Sequence, residues 1–171
     1  MSIMRPLCLT IAGILTLSGT ARSQAPTAAQ MDRLLGRLVG RWTMKGAVRG
    51  TPATYTLDAT RVLQGRFVQL HMTDVAKPPG YEALVSIGVD SAAGRYLAHW
   101  LDNTGAAYSV PPATGTARGD TLFLNFAYPD GPFRDTFSYD RATDAWHFLL
   151  EAGDSAGRWT LFADYVVRRR R

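Results

Sequence analysis

The chain has 171 residues, of which 46% are hydrophobic and 19% are charged, and its formal net charge at pH 7 is +5. Four of the basic residues form the terminal run Arg168 to Arg171, so the body of the chain is close to neutral. This argues against a nucleic-acid-binding surface, which needs Lys and Arg clustered on the folded face. The single cysteine, Cys8, argues against a disulfide scaffold and a thiolate metal site.

The N-terminal residues have the pattern of an export signal. Arg5 precedes an apolar run from Leu7 to Leu17, and Ala21-Arg22-Ser23 is a small-x-small cleavage site. The apolar run is too short to span a bilayer, which needs about 20 residues. We therefore predict a signal peptide over residues 1–23, cleavage near Ser23, and a mature protein that is periplasmic or secreted.

Residues 24–39 contain the signature of one short helix. Thr27 and Gln30 have the spacing of a capping box, in which the two side chains accept hydrogen bonds from the first free N–H groups of a helix. The apolar residues that follow recur at i, i+3, i+4 and i+7, the spacing of one helix face: Met31, Leu34, Leu35 and Leu38. Because so short a helix is marginal by itself, we expect its apolar face to pack on the end of a larger structure.

From Gly40 onward the pattern changes to short strands, with turn signals about every 8–12 residues. Strands are predicted over residues 41–49, 53–63, 66–74, 81–89, 95–102, 106–117 with an interruption at Pro111-Pro112, 121–128, 133–139, 145–151 and 158–168. Because every connection is short, the pattern favours an all-β, antiparallel up-and-down barrel of about ten strands over residues 40–168. Residues 169–171 then form a basic tail.

The last strand alternates in a way that predicts which of its side chains point into the barrel. The predicted inward set is Trp159, Leu161, Ala163, Tyr165 and Val167.

The two ends of the barrel region resemble those of lipocalin-like barrels. Gly40-Arg41-Trp42 opens the first strand, and Arg168 ends the last. In such barrels a large aromatic ring with a cation laid over it closes one end. We therefore predict barrel closure by Gly40, Trp42 and Arg168, with the short helix near that closed end.

The central hairpin carries a second resemblance. Its sequence, YEALVSIGVDSAAGRYLAHWLDNTG from Tyr81 to Gly105, contains Gly88-Val89-Asp90, Gly94-Arg95-Tyr96 and Trp100-x-Asp102. Together with residues 63–67 and the last strand, these motifs resemble a family of exported bacterial proteins of unknown function. The resemblance covers nearly all of the mature chain and implies a calycin-like barrel fold, and it implies no reaction and no catalytic residues.

Aromatic residues are the strongest candidates for a binding site. A mixture of rings, hydroxyls and indole N–H groups is typical of pockets for apolar ligands, although side chains alone can also fill a barrel. The predicted ligand-binding residues are Trp42, His71, Tyr81, Tyr96, Trp100, Phe126, Trp146, Trp159 and Tyr165.

His71 is included because some ten-stranded barrels bind haem through one strand histidine. It is the first candidate for an axial ligand if Phe67 and Gln69 face inward with it, and His147 is the second. His99 and His147 are out of phase with the neighbouring aromatic residues, so we expect both to point to solvent and expect no three-histidine metal site.

We find no recognised catalytic motif in the chain, and no catalytic residue is assigned. Most aspartates lie in predicted turns, where they bond to the backbone. Asp135 and Asp164 lie in the middle of predicted strands, and we expect both to be outward-facing solubilising charges. An acid–base enzyme would instead need one of them buried beside a partner.

The leading hypothesis is an exported barrel that binds a small hydrophobic or amphipathic molecule without transforming it. One alternative is an enzyme in the barrel mouth or a haem-binding barrel that uses one strand histidine. Another is a packed barrel that acts through its surface as an envelope interaction protein. We expect no nucleic-acid partner. The terminal arginines favour a solvated, frayed terminus, and the alternative is weak contact with a membrane surface through Arg168, Arg169, Arg170 and Arg171.

Overall fold

The computed structural model describes residues 25–170. The predicted signal peptide and Arg171 lie outside these described residues. Within residues 25–170, no helix is long and apolar enough to cross a membrane.

The predicted capping helix is confirmed as α1 (Ala28–Gly36). The Thr27 hydroxyl accepts a hydrogen bond from the Gln30 backbone N–H at 3.2 Å, and the Gln30 side-chain oxygen accepts one from the Thr27 N–H at 2.7 Å. The apolar face is buried along its whole length: Met31, Leu34, Leu35 and Leu38. Capping therefore starts the helix, and burial of one face holds it in place.

Ten antiparallel strands follow the helix, close to the predicted segments. They are β1 (Gly40–Val48), β2 (Thr51–Val62), β3 (Phe67–Asp74), β4 (Glu82–Asp90), β5 (Arg95–Asp102), β6 (Ala113–Arg118), β7 (Thr121–Tyr128), β8 (Gly131–Asp140), β9 (Ala145–Gly153) and β10 (Trp159–Arg169). Each strand pairs with the next along the chain, and β10 pairs back to β1. The result is the predicted closed up-and-down barrel. Its pairing is weakest between β5 and β6, where only Tyr96, Leu97 and Ala98 of β5 have partners.

The sixth strand begins later than the sequence pattern predicts. A short 3₁₀ helix occupies residues 106–108, and β6 starts only at Ala113. Pro111 and Pro112 precede this start, and proline has no N–H to donate to a strand ladder. The loop from β5 to β6 is therefore longer than the other connections of the barrel.

The barrel has two unlike ends. The closed end holds α1, the start of β1, the end of β10 and the turns at residues 63–66, 91–94, 119–120 and 141–144. We call the opposite end the mouth, and it carries the connections at residues 49–50, 75–81, 103–112, 129–130 and 154–158.

Closure at the helix end uses Arg169 rather than the predicted Arg168. The Arg169 guanidinium carbon lies 4.2 Å from the centroid of the Trp42 ring, and its Nε donates to Asp144 at 2.5 Å. Arg168 lies on the outer face and is exposed. The reason is strand alternation, because Arg169 continues the inward series of Tyr165 and Val167. Arg169 is thus part of β10 and not of a basic tail.

A β-bulge divides β10. The register against β9 shifts between Leu161 and Ala163, which leaves Phe162 as the extra residue. Beyond the bulge the inward prediction is confirmed, since Ala163, Tyr165 and Val167 are buried. Before it the prediction is wrong: Trp159 and Leu161 are exposed, because one extra residue exchanges the two faces of a strand.

Candidate functional site

The nine predicted ligand-binding residues separate into three groups. Three lie in a packed layer at the closed end: Trp42, Tyr96 and Trp146. Four lie in the upper barrel towards the mouth: Tyr81, Trp100, Phe126 and Tyr165. The remaining two, His71 and Trp159, lie on the outer face.

The closed-end layer is filled by its own side chains. Trp42, Tyr96 and Trp146 are each at most 1% exposed. The Trp42 indole N–H donates to the Leu38 carbonyl at 2.7 Å, and the Tyr96 hydroxyl donates to the Met31 carbonyl at 2.9 Å. These two hydrogen bonds connect the closed-end layer to α1 and its C-terminal turn. The layer is therefore structural and is not available to a ligand.

His71 is wrongly placed by the sequence prediction. Val68, Leu70 and Met72 are the buried residues of β3, so His71 points outward, where its Nε2 lies 2.6 Å from a carboxylate oxygen of Glu82. Phe67 and Gln69 share this outer face. The alternation of apolar with polar residues along β3 carries the correct phase. The histidine on which the haem hypothesis first depends is therefore outside the lumen.

The other two histidines lie outward, as expected. His99 Nε2 lies 2.8 Å from the Ser109 carbonyl oxygen, and His147 Nε2 lies 2.5 Å from Asp164. Among residues 25–170 no three His, Cys, Asp or Glu side chains are grouped so that they could hold one metal ion.

Trp159 is likewise outside the barrel, as a consequence of the bulge in β10. It is 37% exposed, and the Arg134 guanidinium carbon lies 4.1 Å from its ring centroid. Arg134 itself forms two hydrogen bonds with Glu151, the shorter at 2.6 Å.

The mouth contains a continuous cluster of aromatic rings, which we call the mouth cluster. Ring centroids 5–6.5 Å apart connect its members in edge-to-face, stacked or tilted pairs that form two groups. The hydrogen bond from the Trp100 indole N–H to the Tyr81 hydroxyl joins the two groups. Its members are Tyr55, Tyr81, Trp100, Phe126, Tyr128, Phe133, Phe162 and Tyr165. Sequence reasoning found four of these eight and missed Phe162, which only the bulge turns towards the core.

One polar network is embedded in the mouth cluster. The Tyr81 hydroxyl donates to Asp102 Oδ2 at 3.0 Å, and the Trp100 indole N–H lies 3.2 Å from the Tyr81 oxygen and 3.3 Å from Asp102 Oδ2. Burial, and then the negative charge of Asp102, raise the pKa of Tyr81 above its usual value. The Tyr81 phenol therefore stays protonated and acts as a hydrogen-bond donor.

Asp135 is the most unexpected residue of the lumen. It was expected on the surface, yet it is 1% exposed and is the one charged or polar residue buried within residues 25–170. On β8 it lies between Phe133 and Phe137 in the inward series, and its cross-strand partners are Leu124 and Leu150. The inward spacing of Phe133, Asp135 and Phe137 was the available sequence signal.

Neither carboxylate oxygen of Asp135 has a hydrogen-bond partner among the described residues. Burial raises the pKa of Asp135 well above its usual value, since desolvation disfavours the charged form. The pKa of Tyr128 is also raised, first by burial and then by Asp135 and Asp102. Tyr128 thus lies within electrostatic reach of both carboxyl groups, which connects Asp135 to the mouth cluster.

A comparison with solved structures supports the barrel architecture. The chain is similar to the crystal structure of Rv2717c from M. tuberculosis, with a TM-score of 0.57 and 17% sequence identity over 86% of this chain and all of that one. At this identity the similarity shows the fold alone. No protein-family model matches the chain, and no curated protein matches its sequence.

Proposed function

We propose that this protein is an exported, calycin-like barrel that binds a small apolar or amphipathic molecule at its mouth without transforming it. The observation that carries this proposal is the mouth cluster with its embedded Tyr81–Trp100–Asp102 network. Apolar walls with a few fixed polar groups are what a small-molecule site requires. The closed-end layer is packed, so the proposed ligand enters only the upper part of the barrel.

The apolar surface of the protein is distributed in a way that suits this function. Among residues 25–170, seven of the nine exposed large hydrophobic residues lie in the mouth half of the barrel: Val75, Leu84, Leu101, Tyr108, Val110, Trp159 and Leu161. An apolar rim of this kind favours the approach of an apolar molecule, and contiguous apolar surface often marks a binding site.

The test is a titration with N-phenyl-1-naphthylamine, an apolar fluorophore that is uncharged at pH 7. We expect saturable binding that Tyr128→Ala weakens at least about tenfold. The matched control is Tyr139→Ala, which removes a half-buried tyrosine at the closed end and should leave affinity within about twofold. Absence of saturable binding, or equal losses in the two variants, would contradict the proposal.

A second candidate function is a packed barrel that binds another macromolecule through the apolar rim. The exposure of Val110 and Leu161, at 61% and 56%, favours it. Val110→Ser with Leu161→Ser should then abolish partner binding, measured by sedimentation or affinity capture with the candidate partner. These rim substitutions leave the mouth cluster intact, so fluorophore binding should persist and separate the two functions.

A further inference from the structure

Asp135 destabilises the fold at its position in the lumen, because its buried carboxyl group has no hydrogen-bond partner among the described residues. An unpartnered buried polar group typically destabilises a fold by about 1–3 kcal/mol, and an apolar residue of similar shape would remove that cost. Its surroundings offer no compensation, since Leu124 and Leu150 flank it across the sheet and Phe133 and Phe137 flank it along β8. A group in this condition is a candidate for pairing with a ligand.

The charge of the lumen restricts which ligand can provide that pairing. Asp74, Asp102 and Asp135 are the inward carboxyl groups of the upper barrel, and Asp74 is in phase with the buried Leu70 and Met72 of β3. No lysine, arginine or histidine is buried anywhere in residues 25–170. Arg49, in the turn between β1 and β2, contacts the mouth cluster, with its guanidinium carbon 5.0 Å from the Phe162 ring centroid. A ligand carboxylate or phosphate placed deeper, beside Asp135, would have no buried cation to pair with, whereas an ammonium group there would face a carboxyl group.

The aromatic residues around Asp135 reinforce this preference. Phe126 and Tyr128 stack with ring centroids 5.2 Å apart, and Phe133 lies 6.2 Å from Tyr128. The face of an aromatic ring attracts a cation, most strongly where water is excluded. The same rings present the apolar surface against which the body of an amphipathic molecule packs when it binds.

We propose that the ligand is an amphipathic amine, whose ammonium group pairs with the Asp135 carboxylate while its apolar part lies among the rings of the mouth cluster. This inference rests on the proposed binding function and adds its chemical class. On binding of the protonated amine, any proton that Asp135 carries passes to water, so that the occupied site holds a neutral pair of ammonium and carboxylate. The ammonium N–H groups then donate to both oxygens that otherwise have no partner.

The experiment compares three ligands that share one chain: n-decylamine, 1-decanol and decanoate. Each competes with N-phenyl-1-naphthylamine at pH 7 for the purified protein. We expect decylamine to bind at least about tenfold more tightly than decanol, and decanoate to bind most weakly. Equal affinities, or a preference for decanoate, would overturn the inference while leaving the binding function in place.

Two variants of Asp135 test whether this residue causes the preference for decylamine over decanol. Asp135→Asn and Asp135→Leu should each bring decylamine within about threefold of decanol, with decanol affinity unchanged. Asp135→Leu keeps the test decisive if the asparagine variant folds poorly, because leucine leaves no unpartnered polar group. The matched control is Asp164→Asn, which removes a carboxylate from the outer face of β10 and should retain the full preference for decylamine.

Failure of the inference is distinguishable from failure of the proposed function. If neither the fluorophore nor any decyl compound binds, the binding function itself is wrong. If the fluorophore and decanol bind but Asp135→Leu leaves the decylamine preference unchanged, the site exists and Asp135 does not recognise its ligand.

Discussion

At the residue scale, Trp42 on β1 connects the C-terminal turn of α1 to the end of β10. Its indole N–H is bonded to the Leu38 carbonyl, its ring is fully buried, and Arg169 covers it. We expect Trp42→Ala to lower the free energy of unfolding by about 3–5 kcal/mol, the cost of truncating a buried aromatic residue. Urea unfolding followed by circular dichroism measures this loss.

Trp159→Ala is the matched control for Trp42→Ala, because it removes the same side chain from the outer face. Its contact with the Arg134 guanidinium contributes less than about 1 kcal/mol at an exposed site. A loss as large as that of Trp42→Ala would show that burial at the closed end is not what distinguishes the two positions.

The burial of Asp135 leads to a second prediction, which concerns the pH dependence of the free energy of unfolding. Its pKa is raised in the folded state, so between the unfolded pKa of about 3.9 and the folded value the unfolded chain binds fewer protons. Its contribution to the free energy of unfolding therefore falls as pH rises through that window, by up to about 1.4 kcal/mol per pH unit.

The measurement is urea unfolding of the parent and Asp135→Leu from pH 4 to pH 7. The variant should gain stability relative to the parent as pH rises, and the difference should be smallest at pH 4. The surface carboxylates paired with arginine are common to both proteins, so their opposite pH dependence cancels in this comparison. A constant difference across the range would mean that Asp135 has an ordinary pKa.

At the element scale, the seam between β1 and β10 closes the barrel and depends on one glycine. Gly46 lies opposite Tyr165, and a Cβ added there would overlap the Asp164 backbone carbonyl. Because backbone cannot move aside as a flexible side chain can, Gly46→Ala should destabilise the fold by about 3 kcal/mol or more. Thermal unfolding followed by circular dichroism measures the effect.

Gly36→Ala provides the control at the end of α1. The nearest atom to an added Cβ is a guanidinium nitrogen of Arg61 at 2.9 Å, which must shift and so strain the hydrogen bonds from that guanidinium to Asp32. However, alanine has a higher helix propensity than glycine. We expect this substitution to change the free energy of unfolding by less than about 1 kcal/mol, because the disturbed ion pair is at the surface. A loss equal to that of Gly46→Ala would argue against a tight seam.

The bulge in β10 shows how one element decides the composition of the site. It turns Trp159 out of the barrel and brings Phe162 to within 5.1 Å of Phe133, measured between ring centroids. The mouth cluster thus exchanges one aromatic residue for another through a single extra position in the strand.

At the scale of the whole molecule, the arginines are concentrated at the closed end. A groove between α1 and the β6–β7 hairpin is lined by Arg33, Arg37, Arg118 and Arg141, with Asp120 as its acidic residue. The upper lumen instead holds Asp74, Asp102 and Asp135. An anionic ligand is therefore attracted to the end opposite the mouth, which agrees with the proposed preference of the mouth for an amine.

Much of the fold follows from local sequence. Thr27 and Gln30 predict the start of α1, because capping depends only on near neighbours. Alternation together with turn residues predicts the strands to within a few positions, except for the later start of β6 at Ala113. The residues of the candidate site were harder to predict from the sequence than the fold. Four rings of the mouth cluster were found, while the phase of β3 and the burial of Asp135 were misread although their alternation was visible.

By itself the sequence determined the helix, the strands, their antiparallel order and the closed barrel, since periodicity, capping and short connections are properties of adjacent residues. Only the tertiary structure decided that Arg169 covers Trp42, that Phe162 replaces Trp159, and that the closed-end layer is packed while Asp135 lies unpartnered above it. These features depend on strand register and on a bulge, which are set by contacts between residues far apart in the chain.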